Sequence, residues 1–279
     1  MKCQSKRISR TTAQGRMRKG KRGPDRILYD CAACRYQFSV KTGTLFHDSH
    51  VPLTKWFMAI AVICQAKKGV SANQVGRMIG VSTKTAWYLC HRVREAMKTG
   101  DLPLLSGTVE IDETYVGGKQ RRGEPRMSWY DRKMPVMGMK QRGGDLRFRK
   151  ITRPAAKEVR EVVNRCVSPD VERIMTDEST IYPFAFDDEQ KKKHSTVCHS
   201  ITYTDGEIHT NEVEGSFSLF KRALVGSYHR LSFKHLDRYL TEFEWRANNR
   251  KNPQIFEKAI GSAAAAKHLT FRALVDGGE

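Results

Sequence analysis

The sequence predicts an α/β protein: a mixed sheet covered by helices, preceded by a small cysteine-bearing segment and a helical unit. Three observations carry this. From residue 108 onward come three β-type runs, a helix-period run, two further β-type runs and a closing helical run. Residues 53–97 instead repeat apolar positions at helical spacing, broken at Gly80. Cys31-Ala-Ala-Cys34 sits between two short β-type stretches.

At 279 residues the chain can bury one substantial core and one or two small modules. Its formal net charge of +20 points to a polyanionic partner, nucleic acid first, because neutralising phosphates is what such a surplus does well. A ribosome-associated protein or an ordinary basic enzyme is the plainer reading of the same charge. The longest apolar stretch, Trp56 to Cys64, is too short to span a bilayer and runs into Lys67-Lys68. The basic N-terminus leads into no apolar segment with a cleavage site, so a cytoplasmic protein is expected. Seven cysteines, an odd number, argue against a disulfide framework. Cys64, Cys90, Cys166 and Cys198 lie in apolar surroundings and are expected to be buried.

Residues 1–45 are expected to form a basic arm and a metal knuckle. The first 27 carry hardly any large apolar residue and predict a segment that is mobile unless metal or DNA orders it, in which Arg16 to Arg22 is a phosphate-contacting arm or a solvated tail. The Cys-x-x-Cys resembles one half of a zinc ribbon, with Cys3, Cys31 and Cys34 as candidate zinc ligands. The missing ligand falls before Met1, or His47 or His50 takes its place.

Residues 46–100 predict a helix-turn-helix. Leu53, Trp56, Phe57, Ile60, Ala61 and Cys64 form one helical stripe. Ser71 caps a short helix carrying Val75, Met78 and Ile79 inward, Gly80 makes the turn, and Ser82 caps a longer helix. In such a motif the second helix enters the major groove, so Thr83, Lys84 and Thr85 are candidates for base edges. Arg92 and Arg94 are expected to meet phosphates or solvent. A helical hairpin packed on the main domain is the alternative.

Residues 101–250 carry the sheet: strands at Val109–Val116, Pro135–Met139 and Leu146–Ile151, a helix over 154–167, a strand over Val171–Thr176, another over Thr196–Ile201, and a helix from Asn211. That order is close to a ribonuclease-H-like domain. The basic loop between the first two strands, Arg121 to Lys133, is a candidate DNA-contacting tip or an insertion. Residues 251–279 read as a C-terminal tail with a surface helix.

Three carboxylates stand where these elements can bring them to one cleft. Alternation puts Glu110 and Asp112 on one strand face, and Asp112, in the middle of the element, is the one chosen for the cleft. Asp177 ends its strand at the C-terminal edge, where ligands bind in α/β sheets. Glu214 shares a helix face with Ser218 and Lys221, while Val213, Phe217, Phe220 and Leu224 turn inward. Lys221 falls about two turns, about 10 Å, from Glu214. Asn211 is a suitable helix cap and a rival for the third metal position. Two strand carboxylates and one helix carboxylate suit a pair of Mg²⁺ or Mn²⁺ ions, which take oxygen ligands and stabilise both oxygens of a phosphoryl transfer.

Val109-Glu-Ile-Asp-Glu-Thr-Tyr-Val-Gly-Gly-Lys119, Met175-Thr-Asp177 and His209 to Arg222 resemble the DDE transposases of bacterial insertion sequences, in their ISXO2-like branch. Tyr228 to Leu240, Glu242 to Arg250, Cys34 to Thr44 and Pro52 to Trp56 extend the resemblance over about residues 28–250. The family implies a ribonuclease-H-like core with two Mg²⁺ ions, a zinc ribbon and a helix-turn-helix that reads terminal inverted repeats. Carried over by position, Asp112, Asp177 and Glu214 are the acidic triad and Lys221 the basic residue of the same helix. Some members have Asn at the third position, which keeps Asn211 in play. The family's first Cys pair is represented here by Cys3 alone. The expected activity is end cleavage and joining to target double-stranded DNA, by at least a dimer working at the nucleoid. A structure-selective nuclease, or a decayed transposase acting as a DNA-binding regulator, are the alternatives.

Overall fold

Five strands form the central sheet of the computed structural model, which describes residues 3, 5–15, 17–18, 20–23, 25–98, 100, 102–117, 133–197, 209–229 and 231–276. Ahead of that sheet, β1 (Ile8–Ala13) pairs antiparallel with β4 (Arg26–Cys31), and β4 with β5 (Gln37–Phe38). Between them, β2 (Met17–Arg18) and β3 (Lys21–Arg22) make a two-residue hairpin. Part of the first 27 residues, which the composition expects to be mobile unless metal or DNA orders them, is a strand. A backbone ladder from Ile8↔Cys31 to Ala13↔Arg26 orders β1 although its side chains are almost all exposed. Hydrogen bonding can pair a strand that has no core to offer, and apolar content says nothing about that.

The helical unit comprises α1 (Leu53–Gln65), α2 (Ala72–Ile79) and α3 (Thr83–Ala96). Ser71 and Ser82 accept from the amides of Gln74 and Thr85, and Gly80 ends α2 in the left-handed region at φ 62°. These are the caps and turn the sequence predicts. Two details differ. Ala59 and Ile63 are buried in α1 while Phe57 is 36% exposed, and Met78 is 52% exposed beside buried Val75 and Ile79. The stripe is rotated because a second wall exists. Trp245, Ile255, Ala259 and Ala263 pack into the same cluster as Trp56, Ile60, Ile79 and Leu89. The C-terminal segment is therefore no tail: α9 (Ile255–Ala265) completes this core, and α10 (Phe271–Asp276) lies along α3.

The sheet consists of β6 (Thr108–Val116), β7 (Met134–Gln141), β8 (Leu146–Lys150), β9 (Arg173–Thr176) and β10 (His194–Thr196), in the order β10-β9-β6-β7-β8. The β6–β7–β8 meander is antiparallel, while β9 and β10 run parallel to β6. The fifth strand, expected over Thr196–Ile201, instead covers His194–Thr196; Val197 follows it buried, and residues 198–201, with Cys198, lie outside the described residues. So do residues 121–132 of the basic loop.

Alternation along β6 and β7 feeds two cores. Val109, Ile111, Met137 and Met139 face α4 (Ala156–Cys166) and the short α5 (Tyr182–Ala185). Val116, Val136, Leu146 and Phe148 face α7 (Asn211–Ala223) and α8 (Leu236–Asn248). Between the parallel strands lies α6 (Asp188–Lys193). Phe148 stacks on Phe217 with centroids 5.2 Å apart, and Phe220 and Phe243 close round it. Cys64, Cys90 and Cys166 are buried, as expected. Among the described residues no helix is long and apolar enough to cross a membrane.

Candidate active site

The site begins with the register of β6. Asp112 stands opposite Gly138 of β7, and α7 crosses the sheet just there. A Cβ on Gly138 would come within 2.5 Å of Phe217 and 2.9 Å of Val213, so only glycine lets the helix approach this closely. The helix is pinned at its other end by Glu110, wholly buried and on the same strand face as Asp112. Its Oε2 accepts from the Glu212 and Val213 amides at 2.8 and 3.1 Å. Its Oε1 lies 2.9 Å from Arg142 Nε and 3.1 Å from His209 Nδ1.

This decides between the two face-sharing carboxylates. Glu110 serves as a carboxylate cap at the positive end of α7, and Asp112 is free to face the cleft. The expectation that Asn211 caps the helix is corrected. Thr210 occupies the cap position without a side-chain bond to the backbone, since the sheet supplies the acceptor instead. Asn211 is the first helical residue and is exposed.

Asp112, Glu113 and Asp177 bring carboxylate oxygens within 4.8 Å of one another. Asp177 follows β9 directly and accepts from the Ser179 amide at 3.1 Å, which turns its carboxyl back over the strand edge. Glu214 stands outside this tight group but lines the same cavity of about 580 Å³ as Asp112, Glu113, Ser218 and Lys221. Its Oε1 accepts from Thr210 Oγ1 at 2.7 Å. Asn211 instead lines a different cavity, on the opposite flank of α7.

The crowding shows in the proton affinities. Burial pushes Asp112 up to about 6; the Glu113 amide at 2.7 Å opposes this, Asp177 and Glu214 add to it, and Lys221 partly offsets them. Burial likewise pushes Glu113 up to about 7, against the influence of the nearby Tyr182 hydroxyl and with that of Asp177 and Asp112. Among the described residues, the buried Glu113 Oε1 has no hydrogen-bond partner. Negative charge concentrated in this way calls for cations. Glu113 is the site residue that alternation misses, because it belongs to the face of Ile111. At the end of the sheet its carboxyl still reaches Asp112 and Asp177.

Elsewhere, Cys3, Cys31 and Cys34 bring their sulfurs within 4.8 Å, with Cys3 and Cys31 at 3.4 Å. The Cys34 amide, the Cys3 side chain and the Ala33 amide lower the Cys31 thiol to about 7. His47 does not join them: its ring accepts from the Gly43 amide and packs on His268. His50 is likewise outside the cluster.

Thr83 and Lys84 are exposed at the start of α3, and Thr85 shares its hydroxyl with Ser82 at 2.9 Å. Lys84 also lies over the Phe271 ring of α10, 5.2 Å from its centroid. The expectation for Arg92 and Arg94 is corrected, as both are about 2% exposed. Arg92 donates to the His47 carbonyl at 3.0 Å and lies over Trp56. Arg94 meets the buried Glu242 at 2.6 Å. A helix periodicity that leaves these positions polar cannot reveal that α8 brings an acid to Arg94 and that the His47 carbonyl and Trp56 cover Arg92.

Residues 104–248 match the ISXO2-like transposase domain family. An uncharacterized protein in the transposable element ISH50 of Halobacterium salinarum is 32% identical over 245 residues, covering 81% of this chain and 80% of that protein. The crystal structure of a pre-cleavage Mos1 transpososome aligns at TM-score 0.32 with 13% identity, over 80% of this chain and 83% of that one. The Mos1 strand transfer complex aligns at TM-score 0.32 with 12% identity, over 80% and 82%. The chain therefore belongs to the ISXO2-like transposases, DNA transposases of the DDE type. Dependence on a divalent metal comes with that family.

Proposed function

We propose that Asp112, Asp177 and Glu214, with Glu113 beside them, hold a pair of Mg²⁺ ions at the edge of a ribonuclease-H-like sheet, and that the protein cleaves and joins DNA at the ends of an insertion sequence. The observation that carries this is the group of Asp112, Glu113 and Asp177 carboxylates on β6 and at the end of β9, whose oxygens lie within 4.8 Å, with Glu214 of α7 lining the cavity beside them. The residues fit cations: oxygen donors suit a hard ion, and the buried Glu113 Oε1 has no hydrogen-bond partner among the described residues. The strand order, an antiparallel meander flanked by two parallel strands, supports the ribonuclease-H-like reading.

Bound there, divalent ions supply an activated water and neutralise charge on the phosphoryl oxygens. The chain's own groups do the positioning. Glu110 and Gly138 fix α7 against the sheet, Thr210 orients Glu214, and Lys221 offers a cation to a DNA phosphate beside the acids. Asn211 lines the other cavity, which favours Glu214 as the third acid.

In this reading Thr83, Lys84 and Thr85 present the helix-turn-helix to the terminal inverted repeats. Cys3, Cys31 and Cys34 hold Zn²⁺, the depressed Cys31 thiol favouring the thiolate that zinc requires. Two ends must be brought together, so the working form is at least a dimer, acting at the nucleoid. Purified Asp112→Asn protein should bind a duplex carrying the element's end but give neither nicked nor joined product in Mg²⁺. Joined product from that variant overturns the assignment.

A further inference from the structure

The cavity on the second flank of α7 has a chemistry unlike the first. About 720 Å³ in volume, it lies between the end of α1, the first turns of α7 and the end of α8. Lys67, Lys140, Arg246, Arg250 and Lys251 line it against a single acid, Glu212. Glu212 is already engaged by Lys140 at 3.7 Å and by the Gly143 amide. Lys67, Arg250 and Lys251 are exposed and enter no ion pair among the described residues. Arg246, 6% exposed, pairs through Nε with the buried Glu242 at 3.2 Å and donates through one terminal nitrogen to the carbonyls of Ala66 and Lys67, while its other terminal nitrogen has no hydrogen-bond partner among the described residues. The unbalanced charge is that of Lys67, Arg250 and Lys251, and a concave site with three such cations wants an extended polyanion.

Its position says which one. Glu212, Gly215, Ser216 and Leu219 of α7 face this cavity, whereas Glu214, Ser218 and Lys221 face the acidic one. The two sites are thus separated by one helix, about 10–12 Å in diameter. At about 3.4 Å per base step, that is a span of about three nucleotides along a strand.

We propose that the basic cavity is a phosphate-backbone site, gripping the DNA strand where it crosses α7 on its way to or from the carboxylates. The grip on a flank next to the reacting phosphodiester fixes where along the strand the carboxylates act. It adds sequence-independent affinity, and that affinity is salt-dependent because each neutralised phosphate releases counterions. The inference rests on the protein acting on DNA, which family membership supplies.

The test is the salt dependence of binding to a mixed-sequence DNA duplex, followed by fluorescence anisotropy between about 50 and 200 mM KCl. The combined Lys67→Gln, Arg250→Gln and Lys251→Gln protein should lower the slope of log K against log salt by about 0.9 per lost contact, up to about 2.7. A matched control, Lys157→Gln with Lys191→Gln and Lys192→Gln on α4 and α6, removes the same charge elsewhere and should leave the slope within about 0.5 of the parent. An unchanged slope in the cavity variant, or an equal fall in the control, overturns the proposal. Should the triple variant unfold at a lower temperature, the single Lys251→Gln protein decides with an expected fall of about 0.9. A parent protein whose duplex binding ignores salt would sink the underlying expectation of DNA contact rather than the choice of cavity alone.

Discussion

Replacing Glu110 by Ala strips three hydrogen-bond donors, and a close histidine contact, of one fully buried acceptor group. Two are the amides of Glu212 and Val213 at the start of α7, and a lost helix cap costs about 1 kcal/mol. The third is Arg142, 2.9 Å away and 22% exposed, and the His209 ring stands close by at 3.1 Å. Breaking a buried ion pair by removing one partner costs about 3–5 kcal/mol, and the lower end applies because Arg142 still reaches water. The expected loss is therefore about 3–4 kcal/mol at pH 7. Glu110→Gln keeps an oxygen for the amides and loses the charge, so about half of that is expected. Urea unfolding at constant m-value measures both. The same helix carries Glu214 and Lys221, so Mn²⁺ affinity in the folded variants should fall in the same order. A loss below about 1 kcal/mol for the Ala variant, or equal losses for Ala and Gln, would refute the claim that a charged cap from the sheet anchors the helix.

Three further outcomes follow from the same geometry. Gly138→Ala forces a methyl into Phe217 and Val213; it should cost about 1–3 kcal/mol by denaturation and weaken Mn²⁺ binding, and a neutral result would mean α7 is not held this close. Asp112 and Glu113 have folded-state pKa values of about 6 and about 7, above the ordinary carboxylate values, so the folded site binds protons more tightly than the unfolded chain. Their ionisation therefore takes stability from the metal-free protein as pH rises from about 4 to about 7, and cations must displace protons below that. Calorimetric Mn²⁺ affinity should rise at least about tenfold between pH 5.5 and 7.5, with proton release at the lower pH, and a flat profile would contradict it. Glu242→Ala leaves Arg94, Arg246 and the Tyr228 hydroxyl facing a void and should cost about 3–5 kcal/mol by thermal or urea unfolding. A loss within the range of a surface substitution would show that this network does not join α3 to α8.

The sequence by itself determined the order of elements, the caps of α2 and α3, and the positions of Asp112, Asp177 and Glu214. All of these are local: alternation places a carboxylate on a strand face, a Ser before a helical run caps it, and Gly80 allows the left-handed turn. Legibility stopped wherever a partner lay far along the chain. Arg92 and Arg94 read as facing phosphates or solvent because nothing near them announces Glu242 or the His47 carbonyl. Residues 251–279 read as a tail because the core they complete lies some two hundred positions away. Glu110 and Asp112 are equivalent by periodicity, and only the approach of α7 assigns one to a cap and the other to the cleft. Glu113 should point away from that cleft by the same periodicity, yet its carboxyl meets Asp112 and Asp177. Periodicity fixes which face a side chain starts from; what it meets there depends on packing between distant segments, which only the tertiary structure decides.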